Sequence, residues 1–292
     1  KDGHFIMAAF YADSRKSSEI KGVLFLRINQ FTGEVINQGS QELSTAMLTT
    51  VPADEEEDED DDKESRKERK ERKRLEKLQE DDGGISKTFM FREFIPTDDG
   101  GFIMLAEKNY TYTITTSTYN GRTWQTTSTT YEVYGDLLFV KISPVNNVEW
   151  MHRLPKRQEL VIGGRSYAGS GFSIGSYVSS KPVTYSSIGS YYQPQHNNLL
   201  LFFNDHSKND KVLNAGQKAK TMNRPSKANV NMLVIDSKTG NHKRSMIFSN
   251  EDETDAMPST GQTIGKNFYM VCKKRGRAFS KSKIALAKLE VK

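Results

Sequence analysis

Four segments of this 292-residue chain repeat one pattern, an apolar strand opened by a polar and often glycine-containing turn. They read DGHFIMAAF at 2–10, DGGFIMLAE at 99–107, HNNLLLFFN at 196–204 and GKNFYMVC at 265–272. A second apolar strand follows each: GVLFLRI at 22–28, DLLFVKI at 136–142, NVNMLVI at 229–235 and SKIALAKL at 282–289. After Ile28, Ile142 and Ile235 come the similar turns NQFTGEVI, SPVNNVEW and DSKTGNHK. Gly33, Asn147 and Gly240 each stand five residues beyond the isoleucine, where a tight turn needs a residue that tolerates positive φ. Internal recurrence constrains architecture more than local propensity does. The unit is strand, connection, strand, tight turn, strand, and SKTFMFREFIP at 86–96 reads as a fourth strand before the next unit opens at Asp99.

Sequential antiparallel strands repeated in this way resemble β-propeller blades, of the uncharacterised kind found in bacterial surface and periplasmic proteins. The resemblance covers most of the chain, without the WD dipeptide or the kelch glycine pairs. It implies an all-β fold of propeller-like antiparallel blades, about four repeats of a partial ring, in one domain over 1–292 that is the C-terminal part of a larger propeller. Upstream strands or a partner chain would complete the ring, because half-built blades leave open edges. An irregular stacked sandwich or one large twisted sheet is the alternative architecture.

Insertions stretch the repeat. Residues 52–84 hold the run PADEEEDEDDDKESRKERKERKRLEKLQEDDGG, whose helix formers and i,i+4 charge pairs predict a solvated charged helix with a disordered acidic start. Residues 109–134 read as a β-hairpin of Thr and Tyr turning at Asn120-Gly121. With that dipeptide as a two-residue turn, Tyr119 would face Arg122, Thr115 would face Thr126 and Tyr110 would face Tyr131, one face carrying Tyr110, Tyr112, Ile114, Gln125, Thr127 and Tyr131 and the other Thr111, Thr113, Tyr119, Arg122, Trp124 and Thr130. Residues 163–192 are rich in Gly, Ser and Tyr and form a third insertion of loop or strands, with no βαβ context for a dinucleotide site.

The net charge of +5 hides an uneven layout: residues 54–82 carry 9 basic and 16 acidic side chains, so the remainder stands at +12. A basic body suits anionic neighbours such as nucleic acid, lipopolysaccharide or an acidic protein surface. No apolar run reaches the length of a membrane span, and Cys272 is the one cysteine, expected as a buried structural thiol. The chain opens on KDGHFIM, which reads as a processed product or a fragment.

The chemistry is sparse. Five histidines are scattered without metal-ligand spacing. In FNDHSKND at 203–210, Asp205 and Asp210 are candidate calcium ligands without EF-hand spacing, against a strand-ending turn held by Asx bonds. Asp99, Glu107 and Asp205 lie near first strands, where a propeller glycosidase would place paired carboxylates. The favoured function is a non-catalytic structural and protein-interaction module in a bacterial cell-envelope assembly, periplasmic or at the cell surface, without cofactor. Its candidate contact residues are Tyr110, Tyr119, Arg122, Trp124 and Tyr131 on the hairpin, types favoured at binding hot spots. A glycan-binding protein or glycoside hydrolase is the alternative. Binding of an anionic polymer or nucleic acid through Lys273, Lys274, Arg275, Arg277, Lys281 and Lys283 is the third.

Overall fold

The computed structural model describes residues 4–17, 19–44, 70, 85–119, 121–168, 172–178, 183–252, 254–276 and 281–290. They form an all-β molecule. The first sheet contains β1 (His4–Tyr11), β3 (Gly22–Asn29) and β4 (Val35–Glu42); the short β2 (Glu19–Ile20) pairs instead with β5 (Ile85–Ser86). The second sheet holds β6 (Phe89–Pro96), β7 (Phe102–Tyr119), β8 (Trp124–Ile142), β9 (Val148–Leu154), β10 (Gln158–Ala168) and β11 (Phe172–Val178). Its order is β11-β10-β8-β7-β6, with β9 also paired to β8; the molecule includes a sheet curled as half a barrel. The third sheet runs β12 (Gly189–Gln193), β13 (Asn198–His206), β14 (Ala228–Asp236) and β15 (His242–Ser249). The fourth is β16 (Thr254–Ile264), β17 (Asn267–Lys274) and β18 (Lys283–Glu290). All these pairings are antiparallel.

The four recurring segments fall on β1, β7, β13 and β17, and each pairs with the strand that carries the second segment. The strand at 86–96 differs from expectation: β6 hydrogen-bonds to β7 and so belongs with the unit that follows it. The turns repeat in atomic detail. Asn29 and Asp236 each end a strand, and each Oδ1 accepts two backbone N–H groups, from Phe31 and Thr32 in one turn and Lys238 and Thr239 in the other. Gly33 and Gly240 both take φ of 74°. The middle turn is one residue shorter, so its positive φ of 70° falls on Asn146 rather than Asn147.

Both faces of the middle sheets are apolar because both are covered. Between the first and second sheets pack Val23, Phe102, Met104, Leu138 and Val140, joined by Ile6, Ala8 and Phe10. Between the second and third pack Ile103, Leu105, Phe139, Leu199, Leu201 and Phe203. Between the third and fourth pack Leu200, Phe202, Val230, Phe268, Met270 and Cys272. This explains why β13 reads as the unbroken run LLLFF: alternate side chains point into two different cores. Each fully buried Leu or Phe contributes roughly 1.5–3 kcal/mol of transfer free energy.

The charged helix expected over 52–84 is not borne out: apart from Lys70 that segment lies outside the described residues. Lys70 aside, the helical segments described are single 3-10 turns at Val183–Tyr185, Pro194–His196, Ser207–Asn209 and Pro225–Lys227. None of the described helices is long and apolar enough to cross a membrane.

Candidate functional site

β7 and β8 each cross two environments. From Phe102 to Lys108 every side chain of β7 is buried, and Leu137–Ile142 of β8 match it. At Lys108 and Gly135–Asp136 the register shifts, a bulge that bends and twists a ribbon. A Cβ at Gly135 would stand 3.2 Å from the Lys108 stem, so the two strands approach closely there. Beyond the bulge the strands continue into a distal sheet with β10 and β11, and their composition changes to Thr, Ser and Tyr.

The distal hairpin has its expected faces but not its expected pairs. Tyr119 lies opposite Trp124, Thr115 opposite Ser128, and Tyr112 opposite Tyr131, while Tyr110 meets Val133. The turn therefore contains four residues, 120–123, rather than two. Gly121 has a φ of 89°, and Asn120 lies outside the described residues. A shift of two residues leaves each side chain on its face, whereas a shift of one would have exchanged the faces.

One face is a ladder of hydroxyls. Thr113 meets Thr130 at 3.0 Å, Thr115 meets Ser128 at 2.9 Å and Ser117 meets Thr126 at 2.9 Å. Each rung holds two strands at once and adds roughly 0.2–1 kcal/mol. At the tip Tyr119 and Trp124 pack with ring centroids 5.5 Å apart, yet remain 55% and 58% exposed. The Tyr119 hydroxyl donates to the Gly121 carbonyl, which fixes the ring over the turn. Arg122 is exposed in that turn. A cleft of about 550 Å³ opens beside the ladder, lined by Thr113, Ser128, Thr130, Gly163, Gly164 and Arg165 among others. On the opposite face Tyr112 stacks on Tyr131 at 5.0 Å and touches Tyr110, and Ile114 is buried. The structure thus separates the five hairpin candidates: Tyr119, Arg122 and Trp124 lie at the exposed tip, while Tyr110 and Tyr131 each pack on Tyr112 in a half-buried aromatic cluster.

The three carboxylates considered for acid–base work are each committed to a cation. Asp99 accepts from the fully buried Lys141 ammonium at 2.7 and 2.9 Å. Burial pushes its pKa up, but hydrogen bonds from Lys141, Thr97 and the Gly101 N–H outweigh this and hold it at about 2. Gly101 is needed because a Cβ would lie 2.7 Å from that ammonium and collide with the Ile142 carbonyl. Glu107, wholly buried, accepts from Lys156 at 2.6 Å, Arg92 at 2.8 Å and the Ser187 hydroxyl at 2.6 Å. Lys156 also donates to Gln158, whose amide donates to the Asn204 carbonyl, tying the second sheet to the third. Asp205 accepts from Arg244 at 2.7 Å and from Asn209 at 2.8 Å, and Arg244 lies over the Phe203 ring.

Asp210, the other candidate calcium ligand, is exposed and not gathered with Asp205 into a ligand set. Among the described residues no group of three or more His, Cys, Asp or Glu could hold a metal. Of the basic C-terminal candidates, Lys274, Lys281 and Lys283 are exposed and Lys273 half-buried. Arg275 donates to the Asn250 and Glu251 carbonyls and faces Asp255 at 3.3 Å, so it fastens the end of β17 to the turn between β15 and β16. Arg277 lies outside the described residues. Cys272 is buried and burial raises its thiol pKa.

Two features escaped the sequence reading. His152 and His242 pack edge to face at 4.9 Å beside Trp150, and His242 sits with one ring nitrogen at the Gly240 carbonyl and the other at the Leu213 carbonyl. Burial, helped by the neighbouring His242, pushes the His152 pKa down to about 4. The buried ion pairs join residues 39–49 positions apart. The signal that could have found them is a lone Lys or Arg inside an apolar strand, as Lys141 is in LLFVKI. Comparison with protein-family models gave no match, and no curated protein matches the sequence.

Proposed function

We propose that this chain is a non-catalytic structural and interaction module, a β-propeller-like stack of four sheets that presents its distal sheet to a protein partner. One observation carries the reading: the long hairpin leaves the core as a braced platform whose tip holds the exposed Tyr119–Trp124 pair. Rigid aromatics supported by a hydrogen-bonded sheet keep their conformation on binding, which lowers the entropic cost of association. The blade reading is supported by equivalent strand pairing in the four sheets and by the matching turns at Asn29 and Asp236. A bacterial cell-envelope assembly is the setting that the propeller resemblance implies.

Glycan binding is the second reading, favoured by the cleft beside the hydroxyl ladder, where Arg165 and paired hydroxyls offer donors and acceptors to a sugar. Hydrolysis has less support, because Asp99, Glu107 and Asp205 each neutralise a cation. The test is an affinity pull-down from native extract with the intact chain and with a variant in which 111–130 is replaced by a short turn. A stoichiometric protein captured by the intact chain alone supports the proposal. Equal capture by both forms removes the hairpin from the recognition site, and binding on a glycan array abolished by Arg165→Ala favours the second reading.

A further inference from the structure

The third and fourth sheets press together at one end of β12 and part at the other. At Gly189, where β12 begins, a Cβ would collide with the Pro258 carbonyl and stand 2.8 Å from the Phe268 ring. Tyr191 and Gln193 follow at period 2, so they face the fourth sheet as Gly189 does. Tyr191 packs on the core between the two sheets. At this end of β12 lies a cavity of about 480 Å³, lined from the third sheet by Tyr191, Gln193 and the 3-10 turn that ends at His196. From the fourth sheet it is lined by Lys266, Asn267 and Glu290. Both walls are fixed by local bonding. Asn197 takes a φ of 53° and donates its N–H to the Pro194 carbonyl, while its own carbonyl accepts from the Ser237 N–H at 2.7 Å. Ile264 pairs with Asn267, so Gly265 and Lys266 form a two-residue turn, with Gly265 at a φ of 63°.

Gln193 points to an occupant. It is 5% exposed, yet its side chain makes no cap hydrogen bond to the turn and no other hydrogen bond among the described residues. Buried amides are nearly always hydrogen-bonded, so this one takes its partners from whatever fills the cavity. We propose that the cavity is a binding site for a small uncharged saccharide. The lining sets the class of ligand. The amides of Gln193, Gln195 and Asn267 each offer donors and an acceptor, which suits hydroxyl groups that both give and take hydrogen bonds. Lys266 and Glu290 supply one charge of each sign, so the site has no excess charge to select an ion. Tyr191 adds an aromatic surface for the C–H face of a sugar ring. The volume falls within the usual range of about 300–1,000 Å³ for small-molecule sites. This cavity shares no lining residue with the cleft beside the hydroxyl ladder, and the inference is independent of what the distal hairpin binds.

Saturation-transfer NMR on the intact chain reads binding of neutral hexoses, N-acetylhexosamines and their disaccharides at millimolar concentration, with glucuronate and glycine as charged comparators. At least one neutral sugar should be saturated. Gln193→Leu should weaken that sugar by roughly tenfold or more, and Gln195→Ala, on the exposed turn, should weaken it less. Because Gln193→Leu keeps the shape and removes an amide without a protein partner, its melting temperature should hold or rise. A marked fall instead makes Gln193 a structural group and overturns the proposal. So does the absence of any neutral-sugar signal, or binding of glucuronate or glycine alone. Full sugar binding by Gln193→Leu, with loss in Arg165→Ala, also overturns it and places the sugar at the ladder cleft.

Discussion

The two halves of the β7–β8 hairpin share one antiparallel backbone ladder and almost nothing else. In the proximal half, Ile103, Leu105, Leu137 and Phe139 enter one core while Met104, Leu138 and Val140 enter another. In the distal half the same strands carry Thr113, Thr115 and Ser117 opposite Thr130, Ser128 and Thr126, with water on that side. Burial holds the first half, and short hydroxyl bonds with aromatic packing hold the second. The bulge at Lys108 and Gly135–Asp136 is the boundary where one regime gives way to the other. The lesson is that a strand can be extended beyond its core without a second core, provided its side chains bond across the ladder.

The comparison breaks most visibly in the proximal half and the sheets around it. Phe139→Ala or Phe202→Ala empties a site that is 1% or 0% exposed, and urea denaturation should register a loss of roughly 3–5 kcal/mol. Lys156→Met leaves the wholly buried Glu107 carboxylate without its closest cation, at a cost of roughly 3–5 kcal/mol. The double variant with Glu107→Leu should recover much of that loss in the same assay, since an apolar pair carries no desolvation penalty.

Acid should act on the stack in two separate windows. The folded His152 has a pKa of about 4 against 6.5 for the free side chain, so as pH falls the unfolded chain takes up this proton first. Its contribution is complete above 6.5 and is lost between 6.5 and 4. Asp99, at about 2 against 3.8, contributes fully above 3.8 and loses its contribution as pH falls towards 2. Thermal midpoints measured from pH 8 to 3 should decline in both windows, and His152→Phe should flatten the upper one alone.

The smallest effects belong to the distal half. Thr115→Val or Ser128→Ala removes one rung and should change stability by less than about 1 kcal/mol. Tyr119→Ser with Trp124→Ser should leave the melting temperature within a degree or two while abolishing partner capture. A large fall in melting temperature would mean that the tip serves the fold rather than a partner.

Much of the stack was legible because its code is local. Short apolar strands opened by polar turns mark β1, β7, β13 and β17 together with their partner strands. Asn29, Gly33, Asp236 and Gly240 mark two turns whose side-chain bonds span only a few residues. The hairpin faces were legible for the same reason, since period-2 alternation survives a slip of two. The true pairing was not, because Asn-Gly suggests a two-residue turn while the Tyr119–Trp124 packing belongs to a four-residue one. The addition of β10 and β11 to the distal sheet was also hidden. Thr and Ser carry no apolar signal to say which strands lie side by side, and the Thr127–Ser166 contact spans 39 residues. Likewise nothing local reveals that Glu107 and Lys156 are partners, or that Asp205 serves Arg244 rather than a calcium ion.

Native-state hydrogen exchange on the intact chain compares the two halves most directly. Amides of Leu105 and Phe139 should exchange only through global unfolding, with a dependence on denaturant that matches the whole molecule. Those of Thr115 and Thr126 should exchange through local openings of much lower free energy that hardly respond to denaturant. Equal protection along both halves, with one common denaturant dependence, would contradict the account and make the distal sheet part of the structural core.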